Sequence, residues 1–89
     1  MSLDERFNKA AESVKNLKAS PSNDDLLELY AFFKQGSIGD VNTERPGMLD
    51  LKGKAKWDSW SSKKGMSSDE AKEKYIAKAD ALIASIGLK

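Results

Sequence analysis

Residues 29–35 read Leu29-Tyr30-Ala31-Phe32-Phe33-Lys34-Gln35, and this stretch decides the fold class of the 89-residue chain. Apolar side chains recur around it at spacings of three and four, the period of an amphipathic α-helix. These apolar positions are Leu26, Leu29, Tyr30 and Phe33. Ser22 precedes the run with Asp25 three residues later, a pattern typical of a helix N-cap. We therefore predict a helix from Ser22 to about Gly36.

Three further segments carry the same helical period. The first helix is predicted from Leu3 to just before Ser20, and the third over about residues 48–63. The last begins at a second capping-box pattern at Ser67 and closes at Gly87. No segment alternates polar and apolar residues with period two, so strands are not expected.

The connection between the second and third predicted helices, residues 39–47, is polar and contains a Pro-Gly turn signal. It is longer than the usual loop of a helix bundle, which indicates a crossover. The expected fold class is all-α, a four-helix bundle with a long crossover loop between helices 2 and 3, in a single domain over residues 1–89. The expected core consists of Leu3, Phe7, Val14, Leu17, Leu26, Leu29, Trp57, Trp60, Ile76, Ile83 and Ile86.

Composition limits the chemistry of the chain. Cys and His are both absent, so nucleophile triads, imidazole bases and most transition-metal sites lack their usual side chains. We expect no catalytic residue, no metal site and no cofactor. Net charge is +1, which gives no overall attraction to nucleic acid. The N-terminal residues contain no apolar run of the secretory kind, so a reducing, cytoplasmic setting is expected.

Three lysines lack the carboxylate neighbours that solvated lysines usually have. On a helix, Lys34, Lys52 and Lys56 find no acidic residue three or four positions away. Lys52 and Lys56 stand one turn apart and repel each other slightly, a cost that a bound phosphate would reverse. Lys54 points to the far side of the same helix. Spacing alone leaves open an ordinary solvated face.

Aromatic residues accompany these lysines. If the second and third helices converge, Lys34 and Lys56 could clamp a phosphate while an aromatic face stacks on a heteroaromatic ring. Core packing remains the alternative for Tyr30, Phe33 and Tyr75. For Lys15, the alternative is an ion pair with Glu12, three residues before it.

Five motifs together resemble the acyl-CoA-binding protein family, in its single-domain, diazepam-binding inhibitor-like form. The motifs are specific in combination. The resemblance covers nearly the whole chain, since further residues also fall where that family has them: Phe7, Lys9-Ala10-Ala11, Val14-Lys15 and Tyr75-Ile76. The motifs are Pro21-Ser22-Asn23-Asp24, the stretch 29–35, Gly39-Asp40 with Asn42, Arg45-Pro46-Gly47-Met48, and Lys52-Gly53-Lys54-Ala55-Lys56-Trp57-Asp58.

The resemblance implies a protein that binds medium- and long-chain acyl-CoA esters with high affinity and acts as an intracellular carrier and pool former. It implies that Tyr30, Lys34 and Lys56 hold the ribose 3′-phosphate and that Phe33 is the platform for adenine. The family often has Tyr where this chain has Phe33, which removes a hydroxyl and keeps the stacking face. The implied ligand-binding residues are Lys15, Tyr30, Ala31, Phe32, Phe33, Lys34, Lys52, Lys56 and Tyr75.

The resemblance also sets the expected partners. Acyl-CoA is the ligand, transient contacts with acyl-CoA-using enzymes and membranes are expected, and the chain should be a monomer. A thioesterase or acyl transferase is a weaker interpretation, because only carboxylates remain as bases. A helical interaction module or signalling peptide is a second alternative. Such a module would keep its role after Lys34 and Lys56 are replaced, whereas a carrier would lose nucleotide affinity.

Overall fold

The computed structural model describes residues 1–89 and contains four α-helices and no strand. The helices are α1 (Leu3–Val14), α2 (Asn23–Ser37), α3 (Leu51–Ser61) and α4 (Ser68–Ile86). The expected all-α class with four helices is confirmed. None of the four combines the length and the apolar character that crossing a bilayer requires.

Side-chain caps fix where the helices begin. The hydroxyls of Ser22 and Ser67 accept backbone N–H groups from Asp25 and Glu70, as the two predicted capping patterns require. At α1, Ser2 forms a complete capping box that the sequence reasoning did not identify. A cap satisfies backbone donors that have no partner inside the helix, so it favours one starting residue over its neighbours.

The first helix ends earlier than predicted. It stops at Val14, whereas the apolar period suggested continuation to just before Ser20. The backbone beyond it pairs with the C-terminal residues instead: Lys18 N–H donates to the Gly87 carbonyl at 2.9 Å, and Lys89 N–H donates to the Asn16 carbonyl at 2.8 Å. Tertiary pairing therefore overrides the local helical period. Leu17 is still buried, through this extended segment.

The third helix is also shorter than the predicted 48–63. Asp50 caps it by accepting the N–H of Gly53 at 2.9 Å, so the helix begins at Leu51. Met48 and Leu49, expected as its first residues, lie in the preceding turn.

The helices lie side by side in the order α3, α2, α4, α1, in a flattened body. Most of the buried side chains come from α1, α2 and α4. Small side chains allow the helices to approach closely, and three alanines have no exposed surface: Ala31 on α2, and Ala71 and Ala79 on α4. The core cluster consists of Phe7, Ala10, Leu17, Leu29, Phe32, Tyr75, Ile76, Ala79 and Leu82.

The predicted core needs two corrections. Leu26 is 41% exposed, because it faces a groove between α2 and α3 and not the interior. Trp57 is only partly buried, since its indole N–H reaches outward to the Thr43 carbonyl at 2.8 Å. The other predicted positions are buried, or are partly buried and packed against the core: Leu3, Phe7, Val14, Leu17, Leu29, Trp60, Ile76, Ile83 and Ile86.

The connection 38–50 crosses back along α3, as its length suggested. Trp60, near the end of α3, donates its indole N–H to the Gly39 carbonyl just beyond the end of α2. Farther along the connection, Thr43 accepts the indole N–H of Trp57, and Arg45 makes a two-pronged ion pair with Asp58 at 2.9 and 3.0 Å, so the connection returns along α3 towards its start. The carboxyl ends of α2 and α3 therefore lie together, and the two helices run in the same direction.

Candidate functional site

The site is centred on the ring of Tyr30, halfway along α2. The ammonium nitrogen of Lys34 lies 5.7 Å from the ring centroid, and that of Lys56, on α3, lies 5.5 Å from it. Lys34 is also 5.6 Å from the ring of Trp60. Parallel packing of α2 and α3 thus brings together the two lysines and the tyrosine that the sequence placed on separate helices. Cation–π contacts at these distances stabilise each ammonium only modestly.

No carboxylate of the protein pairs with the lysines in or beside this cluster. Five ion pairs are present, and none of them includes Lys34, Lys52 or Lys56. Lys63 provides the contrast, because its ammonium is 3.1 Å from a carboxylate oxygen of Glu28. Two positive charges around one ring without a carboxylate form a site to which an anion would bind.

An apolar groove opens beside these charges. It lies between α2 and α3 and has a volume of about 460 Å³. Its apolar lining comes from Leu26, Leu27, Leu51 and Ala55, while Tyr30, Lys52 and Lys56 contribute its polar edge. This volume and mixed lining are typical of small-molecule sites. Tyr30 and Lys56 belong to both the charged cluster and the groove, so the two are continuous.

A second aromatic cluster joins α1, α2 and α4. The ring of Phe33 stacks on Phe7 at a centroid distance of 5.3 Å and lies 5.8 Å from Tyr75. Phe33 keeps 38% of its surface exposed, so it can still present a flat apolar face to a ligand. Burial raises the pKa of the Tyr75 phenol, and no hydrogen bond contributes to that shift.

Three residues implied by the resemblance lie away from the charged cluster or have little surface. Ala31 is fully buried and Phe32 is 8% exposed, so both pack in the interior. Their role as ligand-contacting residues stays a prediction, and a helix that presents Tyr30 and Lys34 turns these two side chains inward. Lys15 caps the end of α1, is exposed and forms no ion pair, even with Glu12.

Sequence reasoning missed several members of the site. Trp60 was assigned to the core alone, although it follows Lys56 by one helical turn and therefore shares its face. Phe7 carried no local signal, since its contact with Phe33 depends on how α1 packs. The apolar lining of the groove was hidden for the same reason: Leu26 appeared to belong to the core.

The arrangement is suited to binding an anionic ligand. Its ionisable groups are lysines and phenols, and no group of acidic residues is positioned to hold a metal ion. A charged end joined to an apolar groove matches a ligand with an anionic head and an apolar tail.

Comparison with known proteins identifies the family. The family model described as acyl CoA binding protein matches residues 4–79. The chain belongs to the acyl-CoA-binding protein family. An acyl-CoA-binding protein homolog from Manduca sexta is 59% identical over 90 residues, covering 100% of both chains. Homolog 1 from Caenorhabditis elegans is 58% identical over 81 residues, covering 91% of this chain and 94% of the relative.

Solved structures agree with this membership. The crystal structure of Oryza sativa acyl-CoA-binding protein 2 superposes with a TM-score of 0.90 at 42% identity, covering 94% of this chain and 93% of that one. A family structure from Moniliophthora perniciosa gives a TM-score of 0.81 at 39% identity over 96% of this chain and 94% of that one. The function of the chain is accordingly to bind acyl-CoA and carry it, and the family is one of binding proteins.

Proposed function

We propose that the protein holds acyl-CoA across α2 and α3, with its ribose 3′-phosphate at Tyr30, Lys34 and Lys56 and its acyl chain in the adjoining groove. One observation carries this proposal: two unpaired ammonium groups lie within 6 Å of a tyrosine ring that also lines an apolar groove. No carboxylate competes for these ammonium groups, so an incoming phosphate replaces water and forms charge-assisted hydrogen bonds.

Other residues have proposed roles along the same ligand. Beside the 3′-phosphate at Tyr30, Lys34 and Lys56, Lys52 adds positive charge at the groove. Adenine stacks on the exposed face of Phe33, whose ring is held in place by Phe7 behind it. Tyr75 supports this platform from α4, and Lys15 approaches the ligand from the end of α1.

Chain length then controls affinity. Each methylene that enters the groove stabilises the complex by about 0.8 kcal/mol. Affinity therefore rises from free CoA to medium- and long-chain esters and levels off once the groove is full. An acyl-CoA held this way stays out of micelles and membranes, which suits a carrier and pool former that works as a single-domain cytoplasmic monomer, without a catalytic step or a cofactor.

The phosphate assignment is tested by titrating octanoyl-CoA and its 3′-dephospho analogue into three proteins. Wild type should prefer octanoyl-CoA. The double variant Lys34→Ala/Lys56→Ala should lose about 3 kcal/mol of binding free energy and most of that preference, because two charge-assisted contacts are removed. Its melting temperature should change little, since neither lysine has a carboxylate partner.

Lys54→Ala is the matched control, because Lys54 lies on the same helix but does not line the groove. It should bind both compounds as wild type does. Equal binding of octanoyl-CoA by the double variant and wild type would refute the assignment and would favour a helical interaction module.

A further inference from the structure

The last three residues of the chain pair with the segment that follows α1. The Lys18 N–H donates to the Gly87 carbonyl at 2.9 Å, and the Lys89 N–H donates to the Asn16 carbonyl at 2.8 Å. Between these two hydrogen bonds, Leu17 and Leu88 face each other in an isolated antiparallel bridge. We call residues 87–89 the C-terminal clasp.

Gly87 allows the clasp to form directly at the end of α4. Its N–H donates to the Ile83 carbonyl at 2.9 Å, and its φ of 88° is strained for any residue that carries a Cβ. The chain therefore turns from the helix onto the segment after α1 within one residue. The approach is close, since the Cδ of Lys18 lies 3.4 Å from the position that a Cβ on Gly87 would occupy.

The segment after α1 has no other hydrogen bond to the rest of the molecule. Within residues 15–21, the remaining bonds stay in the last turn of α1, where the Lys15 amide and both nitrogens of Asn16 donate to carbonyls of residues 12 and 13. The buried side chain of Leu17 adds an apolar contact. The path of the backbone beyond α1 is therefore set by Leu17 and by the clasp.

Lys15 is the residue of this segment with a proposed role in ligand binding. Its side chain is exposed and belongs to none of the five ion pairs, so no charged partner holds its ammonium group. The backbone alone then determines which region the ammonium can reach. A backbone that is ordered before the ligand arrives lowers the entropy cost of binding.

We propose that the C-terminal clasp positions Lys15 for the anionic head of acyl-CoA, with the Lys89 N–H fixing the backbone at Asn16, the next residue. This inference rests on the proposed role of Lys15. It makes Lys89 a positioning residue that acts through its backbone and does not contact the ligand.

A matched pair of substitutions at Lys89 tests the proposal. Lys89→Pro removes the N–H that donates to Asn16, because proline has no amide hydrogen. Lys89→Ala removes the lysine side chain and keeps the N–H. In calorimetric titrations with octanoyl-CoA, Lys89→Pro should bind about fivefold more weakly than Lys89→Ala, in the range for one hydrogen bond. Lys89→Ala should bind as wild type does.

The same pair in a Lys15→Ala background separates positioning from a general effect on the fold. Lys15→Ala alone should weaken binding about tenfold, because one charge-assisted contact is removed. In that background, the proline and alanine variants at position 89 should bind equally, since the ammonium group that the clasp positions is gone. A clasp with a merely structural role would give the same ratio in both backgrounds.

Leu3→Ala is the control for lost stability. Leu3 packs against the core at the opposite end of α1. It is about 18 Å from Lys15 along the helix axis. This variant should lower the melting temperature more than Lys89→Pro does and should bind octanoyl-CoA as wild type does.

Equal binding by Lys89→Pro and Lys89→Ala would overturn the proposal. A difference between them that persists in the Lys15→Ala background would also overturn it, as would a Lys15→Ala protein that binds as tightly as wild type. The same holds if Leu3→Ala weakens binding as much as Lys89→Pro does. Failure of wild type to bind octanoyl-CoA would instead refute the proposed function.

Discussion

At the scale of single residues, Tyr30 connects the parts of the site. Its ring lies within 6 Å of two ammonium groups, and its side chain lines the groove. The ring and the hydroxyl contribute separately in our account: the ring positions Lys34 and Lys56, and the hydroxyl donates to the phosphate.

Tyr30→Phe separates the two contributions. We expect this variant to lose about 1.5 to 3 kcal/mol of affinity for octanoyl-CoA, the range for a hydrogen bond to a charged group. Affinity for the 3′-dephospho analogue should be unchanged, since the ring is retained. Calorimetric titration of both ligands measures the difference. Equal losses for both compounds would show that the hydroxyl does not contact the 3′-phosphate.

At the scale of helices and loops, Gln35 links the end of α2 to two loops. Its amide N–H₂ donates to the Asp40 carboxylate at 2.9 Å and to the Met66 carbonyl at 2.8 Å, and the side chain is fully buried. Asp40 also accepts the Gly65 N–H at 2.9 Å. This network ties the start of the crossover connection to the loop before α4.

Replacing Gln35 tests this network. Gln35→Glu would place a carboxylate against the Asp40 carboxylate and the Met66 carbonyl, so we expect a loss of about 3 kcal/mol or more in the free energy of unfolding at pH 7. Gln35→Met keeps the approximate volume and should cost less. Urea unfolding curves provide the measurement. A Gln35→Glu protein as stable as wild type would mean that the network contributes little.

Local sequence signals predicted the presence of the helices and two of their starts better than they predicted where helices end. Ser22 and Ser67 marked two helix starts correctly, because an N-cap depends on residues within one turn. The end of α1 could not be predicted, because the backbone around Asn16 pairs with the C-terminus, more than 70 residues away in the chain. Leu26 was misplaced because amphipathic spacing identifies an apolar face and does not say whether a core or a ligand groove covers it.

At the scale of the whole molecule, three carboxylates connect separate elements and make stability depend on pH. Hydrogen bonds lower the pKa of each one: from Lys78 to Asp25, from the Gly65 backbone to Asp40, and from Arg45 to Asp58. A lowered pKa in the folded state means that the unfolded chain takes up protons first as the pH falls.

We therefore expect a constant melting temperature between about pH 7 and pH 5, and a decline below about pH 4, where unfolded carboxylates become protonated. Thermal denaturation followed by circular dichroism measures this profile. Asp58→Asn should be less stable at neutral pH and should decline less steeply in acid. A wild-type melting temperature that stays constant down to pH 2 would contradict the role of these contacts.

The sequence predicted the site as a whole only through the family resemblance. Spacing showed that Lys34 and Lys56 lacked acidic neighbours, but it could not show that Tyr30 would lie between them in space. That depends on α2 and α3 running in the same direction, which the crossover connection imposes. Spacing could not show the contacts of Phe7 with Phe33 and of Trp60 with Lys34 either, because packing between helices sets both.

The central claim is that one site binds both the nucleotide end and the acyl chain of the ligand. Its most direct test is calorimetric titration of the protein with palmitoyl-CoA, free CoA and free palmitate in parallel at moderate salt. We predict tight binding of one palmitoyl-CoA per protein and much weaker binding of both fragments. Comparable binding of free palmitate would contradict the account, because the groove would then bind lipid without using Tyr30, Lys34 and Lys56.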